Sequence, residues 1–300
     1  MAGTTQGNSN FYRSWFGQER LLLITGGIGI LLGGVCLFMM LFKGAAIPPE
    51  GDLFKAVSFN VAIGIFLITT AILLPLVEMP DSKQRLFRWS LFVSSLYSCG
   101  AETIQHLRGI NPRFTVAGNL IDQVAGGVFG LVSLCIVGLY IMLAFYIFQP
   151  VMLKQHPLFT LGLRYGILST LISFAAGVWM IVLQGRFIGM DGNIIWFHGL
   201  GFHGLQVMPL LAWAFVQSYS DKRKQQKLIH LTGWVWNLSL GMIGIQTALG
   251  KSLLQLTITS AAFYLLTIAF CTIFLLTAFQ FFKNSKGIAS IAPEDKDLAK

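Results

Sequence analysis

Eight apolar runs constrain this chain more than any motif in it. They fall at about residues 20–43, 54–77, 86–107, 119–149, 160–184, 195–219, 228–250 and 257–282. Each is long enough to cross a hydrocarbon layer of about 30 Å as a helix. Only 11% of the residues are charged and 55% are hydrophobic. A soluble domain of this size cannot clothe its surface with so little charge. The expected fold class is an all-α membrane protein with eight transmembrane helices. The third and seventh runs are the least apolar of the set.

The net charge of +9 reads as a topology signal rather than a nucleic-acid footprint. Fifteen of the 21 Lys and Arg residues lie on the side of the N-terminus and six on the other. That places both termini in the cytoplasm, with an even number of spans, in a multi-pass protein of the cell membrane. The first run follows a polar segment, residues 1–19, and reads as a span rather than a cleaved leader. Cys36, Cys99, Cys135 and Cys271 all fall inside apolar runs without a CxxC pair, and are expected to be buried free thiols. Pro75 and Pro209 sit within the second and sixth runs, where kinks are expected.

Shifting the chain by about 141 residues superposes its halves. Ile104 and Gln105 fall on Ile245 and Gln246, and Gly109 falls on Gly250. Glu50, Gly51 and Asp52 fall on Asp191, Gly192 and Asn193. The pattern predicts two tandem four-helix repeats of parallel topology. The expected organisation is a cytoplasmic N-terminal segment (1–19), a first four-helix unit (20–149), a second (160–282) and a cytoplasmic tail (284–300). The halves diverge in chemistry: Glu102 falls on Ile243, His106 on Thr247 and His203 on Ala62.

With this topology the polar side chains gather in one outward-facing layer. Glu102, Gln105 and His106 are spaced i, i+3, i+4 and share a helical face. A carboxylate beside an imidazole can share a proton or orient the ring for a ligand. The bland alternative is a hydrogen-bonded network tying this helix to its neighbours. His198 and His203 are five apart, about 140° around a helix, and so are not a chelating pair. His203 and Gln206 do share a face. Gly199, Gly201 and Gly204 clear space for a neighbouring helix or a flat ligand. Candidate catalytic residues are Glu102 and His203. Candidate cofactor contacts are His106, His198, His203, Gln105, Gln206 and Gln246. Candidate substrate contacts are Arg108, Arg113, Arg186 and Asp191. No P-loop, GxSxG, HExxH, CxxCH or dinucleotide fingerprint occurs.

Two patterns, Glu102-Thr-Ile-Gln-His-Leu-Arg108-Gly-Ile-Asn-Pro-Arg113-Phe and His198-Gly-Leu-Gly-Phe-His203-Gly-Leu-Gln206, resemble motifs of a group of bacterial multispanning membrane proteins with no established activity. In architecture alone, eight spans made as four plus four resemble haem A synthase, whose haem-ligating histidines lie in both halves. Here the second, fourth and eighth runs carry no histidine, which departs from that family.

Three readings follow. The first is a membrane redox protein in which His203, with His106 or His198, ligates haem or a transition metal. The second is a small-molecule permease with a proton-coupled Glu/His pair. The third is a membrane-embedded enzyme acting on a lipid or isoprenoid. Against all three stands a purely structural or assembly role. The expected partners are the lipid bilayer and a small ligand or cofactor, with no nucleic acid.

Overall fold

The computed structural model describes residues 19–289. The expected surface segment up to residue 18, and the tail from residue 290, lie outside them. Among the described residues there are eight long helices. These are α1 (Arg20–Lys43), α2 (Leu53–Leu73), α3 (Asp81–Leu107), α4 (Leu120–Ile147), α5 (Pro157–Leu183), α6 (Ile194–Ser218), α7 (Lys222–Ala248) and α8 (Ile258–Ala289). All but α3, seven in number, are long and apolar enough to cross a membrane. The fold is that of an all-α, membrane-embedded protein. A six-residue helix, Pro150–Gln155, precedes α5. Pro75 does not kink α2 but ends it: the chain tightens there into a 3-10 turn, Leu74–Leu76. Pro209 lies inside α6. Cys36 and Cys99 are buried as expected, but Cys135 and Cys271 are exposed. A small apolar thiol is as acceptable against lipid as against protein, so burial in an apolar run did not fix which way it turns.

Helix α3 explains its own low hydropathy. From Leu86 onward its exposed side chains are apolar: Leu86, Trp89, Val93, Leu96 and Ile104. Its buried ones are largely polar: Ser94, Ser95, Ser98, Glu102, Gln105 and His106. That is the reverse of a soluble amphipathic helix and suits one that turns its polar side toward other helices and its apolar side toward lipid.

The chain divides into two compact units. One holds the residues up to Gln149 together with Gly177–Gly185, and the other holds Pro150–Ala176 and Arg186 onward. In the first, α1 lies directly on α2 because both present glycine at the crossing. A side chain on Gly26 would meet the Gly64 carbonyl at 2.8 Å, and one on Gly64 would meet the Gly26 carbonyl at 2.7 Å. Close backbone approach replaces the hydrophobic drive that lipid does not provide. Below the crossing, Tyr140 of α4 stacks on Phe66 of α2 at 4.9 Å, meets Phe87 of α3 edge-on at 5.6 Å, and bonds the Thr70 hydroxyl at 2.5 Å.

In the second unit the core is Met208, Leu211 and Phe215 of α6, Ile229, Trp236 and Leu240 of α7, and Phe270 of α8. Trp236 donates to Ser169 Oγ of α5 at 2.8 Å, and Ser169 donates to the Gly201 carbonyl at 2.6 Å.

Each unit also contains a miniature antiparallel hairpin before its second helix. In the first, Ala46 pairs with Asp52 and Ile47 with Gly51. In the second, Phe187 pairs with Asn193 and Ile188 with Gly192. Each partner in the second stands 141 residues after its counterpart in the first. The hairpins dock the same way. Glu50 N–H donates to the Gly109 carbonyl at 2.8 Å, and Asp191 N–H to that of Gly250 at 3.1 Å. Gly109 and Gly250 both adopt positive φ, +79° and +68°, the left-handed region in which only glycine is unstrained.

Candidate functional site

The end of α3 and the loop that follows it build the most unusual chemistry in the chain. Glu102 is fully buried. Two cationic or protonatable groups reach it: Arg113 Nη2 pairs with Oε1, and His106 Nε2 stands 3.3 Å from Oε2. The His106 tautomer follows from its other nitrogen. Nδ1 accepts the backbone N–H of Asp52 at 3.1 Å, so it carries no proton, and the ring proton sits on Nε2 facing the carboxylate. These contacts are ionic in reach but not aligned. Both Glu102 oxygens and Arg113 Nε are buried without a well-directed hydrogen bond. Cys36 of α1 and Cys99 of α3 also border the carboxylate, and Cys36 bonds Thr103. Asn60 of α2 donates to the Thr103 hydroxyl at 2.9 Å, closing the floor.

Arg113 lies over two rings that pack side by side, Phe59 and Phe129, their centroids 5.8 Å apart. Its guanidinium carbon lies 5.0 Å from the Phe59 ring and 5.3 Å from the Phe129 ring, within cation–π range. Its backbone sits in a turn in which the Asn111 side chain accepts from the N–H groups of Arg113 and Phe114. Glu50 fixes the rest of the loop. Its carboxylate accepts from Asn111 N–H (3.2 Å), the Thr115 hydroxyl (2.5 Å), Val116 N–H (2.8 Å) and Ala117 N–H (3.1 Å). Partial burial pushes the Glu50 pKa up, but those four donors outweigh it and bring it down to about 2.

The shared face expected of Glu102, Gln105 and His106 divides into two networks. Gln105 turns toward α4, where its amide donates to Asp122 at 3.0 Å while its oxygen accepts from Arg108 at 2.6 Å. Arg108 also pairs with Asp122 at 2.7 Å. Asp122 closes a capping box with Asn119 at the start of α4. These residues therefore fasten α3 to α4.

In the second unit the candidates are spread out. His198 donates from Nδ1 to the Ser173 carbonyl at 2.8 Å and meets Phe202 edge-on at 4.9 Å. His203 is exposed, and its Nδ1 bonds Gln206 Oε1 at 2.8 Å. An amide oxygen only accepts, so that proton is on Nδ1 and the lone pair is on Nε2. Gly201 and Gly204 face Ser169 and Ser173 of α5, which is helix contact, whereas the space beside Gly199 is open. Gln246 is buried and organises the next loop. It donates to the Ser252 carbonyl at 2.8 Å and accepts from Thr257 at 2.6 Å and from Thr259. Arg186 stacks on Phe187 at 4.9 Å, and Asp191 is exposed.

Two functional features escaped the sequence: Glu50 as the clamp of the loop, and the Phe59–Phe129 pair against which Arg113 lies. In the sequence Glu50 is visible as the counterpart of Asp191 in the expected repeat, with nothing to show that it reaches the loop after α3. Among the described residues no three His, Cys, Asp or Glu side chains converge as a metal would require. No protein-family model, no curated protein and no solved structure matches the chain.

Proposed function

We propose that the chain is a proton-coupled membrane carrier for a small solute, with Glu102, His106 and Arg113 as its working centre. The observation that carries the reading is the buried carboxylate itself. Glu102 is shared between an imidazole and a guanidinium, yet neither oxygen has an aligned hydrogen bond. A buried ionic network kept only for stability is expected to satisfy its atoms. An ionisable group left partly satisfied within a membrane protein marks an ion or solute path.

The same reading takes α3 as an eighth span, supported by its apolar exposed side and its length of 27 residues. It takes the two units as a tandem duplication, supported by the hairpins and loop bonds that recur 141 residues apart. Parallel four-helix repeats are one way such carriers are built. The balance of Lys and Arg then puts both termini in the cytoplasm of a plasma-membrane protein and turns the Glu102 end outward. The second unit keeps the frame but has Ile243, Thr247 and Leu254 where the first has Glu102, His106 and Arg113, which favours the first as the site of chemistry.

The test is accumulation in proteoliposomes under an imposed pH gradient, with a panel of labelled carboxylates, amines and sugars. At least one solute accumulates with the gradient, and Glu102→Gln abolishes it while the protein stays monodisperse. If no solute responds, or Glu102→Gln transports like the parent, the reading fails.

One observation favours the cofactor reading as a second. His203 is exposed with its Nδ1–H held by Gln206, and the space beside Gly199, one turn earlier, is open. That is how a ligating histidine is oriented. His106 does not join it in that reading, since both its nitrogens are engaged. A haem-reconstituted sample whose absorption spectrum is unchanged by His203→Ala would dismiss this alternative.

A further inference from the structure

Arg113 uses only part of its fork on Glu102. Nη2 makes the contact, while Nε is buried without a partner. The side chain is 31% exposed, so the group that covers the carboxylate also reaches the surface. The Phe59 and Phe129 rings, packed side by side, form an apolar platform against the guanidinium. The result is a planar donor positioned against an apolar platform, whose present acceptor is the chain's own carboxylate.

We propose that Arg113 is the receptor for a small monocarboxylate with an apolar body, that this ligand replaces Glu102 on the guanidinium, and that Glu102 takes up one proton as it is released. The inference rests on the carrier reading above and names its substrate class. A guanidinium fork matches a carboxylate in two parallel hydrogen bonds, which Glu102 does not supply. An apolar body finds the two phenylalanine rings. Once its cation is engaged elsewhere, a buried carboxylate is uncompensated, and its neutral form is favoured.

The groups facing Glu102 leave it as the proton acceptor. Cys36 and Cys99 are thiols, and His106 has its Nδ1 committed to Asp52 N–H. On the flanking segments, Asp52 is paired with Lys55 and Asp122 with Arg108. One anion and one proton enter together, so the site gains no net charge.

Benzoate, with benzyl alcohol as the uncharged control, tests this by titration calorimetry on the detergent-solubilised full chain in buffers of different ionisation heat. The expected result is benzoate binding with uptake of one proton. The affinity rises as the pH falls, by up to about tenfold per pH unit for one proton taken up. Benzyl alcohol does not bind. Glu102→Gln binds benzoate with no proton uptake and no pH dependence. Arg113→Lys, which keeps the charge and loses the fork, binds at least about tenfold more weakly. A pH-independent affinity in the parent protein, no benzoate binding, or an unchanged affinity in Arg113→Lys overturns the proposal. Gradient-driven uptake of an amine or sugar without benzoate binding would sink this inference and leave the carrier reading standing. Benzoate binding with proton uptake but no solute accumulation would do the reverse.

Discussion

Glu102 and His106 meet because they stand four residues apart on a helix, so their pairing was legible before any coordinates. Arg113 was not legible as their third member. It reaches Glu102 from a loop whose path is set by Glu50, more than sixty residues earlier in the chain. No local pattern encodes a contact of that kind. Removing the cation alone should leave Glu102 buried and uncompensated. Arg113→Met is expected to lower stability by about 3 kcal/mol, the low end for breaking a buried pair, since Arg113 is a third exposed. Adding Glu102→Gln should restore part of the loss, which thermal unfolding of the two variants in detergent would reveal. Glu50 gives a pH signature of its own. Its folded pKa lies at about 2, below the ordinary 4.5. The loop is therefore stabilised at and above pH 4.5 and loses that support as pH falls toward about 2. The protection of the Val116 and Ala117 amides from exchange, relative to the intrinsic rate at each pH, should fall over that window in the parent protein. In Glu50→Gln it should be low throughout. Equal exchange in both would contradict the clamp.

Helices were the most legible elements, because an apolar run of sufficient length admits little else in lipid. Two kinds of element were not. Helix α3 starts five residues before its apolar run and owes its low hydropathy to a polar buried side, which composition averages away. The hairpins are two-residue strands, too short to carry a period. Their positions were visible only as loops recurring at one offset. The helix crossing gives a sharp contrast. Gly64→Ala puts a methyl 2.7 Å from the Gly26 carbonyl and should cost about 1–3 kcal/mol. Gly27→Ala, on the same helix as Gly26, meets open space and should change stability by at most about 1 kcal/mol, in the stabilising direction. Denaturation of both variants in one detergent checks the pair. Similar losses would mean that α1 and α2 do not cross as described.

At the scale of the molecule, the charge balance and the proposed duplication make one topological prediction: the loop after α3 and the loop after α7 face the same side of the membrane. Cysteine placed at Ala117 or Leu254, both exposed, should react with an impermeant maleimide in intact cells. Cysteine at Lys83 or Lys222 should react only after permeabilisation. Labelling of the first two from opposite sides would rule out parallel units. On the proposed duplication, the frame recurs without the acid, and the proposed work falls to the first unit. The central claim is therefore that Glu102 takes up and releases a proton within the folded protein. Infrared difference spectra between two pH values, recorded on the parent and on Glu102→Gln, test it most directly. A protonated-carboxyl C=O band from a desolvated site, absent from the variant, is the expected result. Superimposable spectra from the two proteins would contradict it.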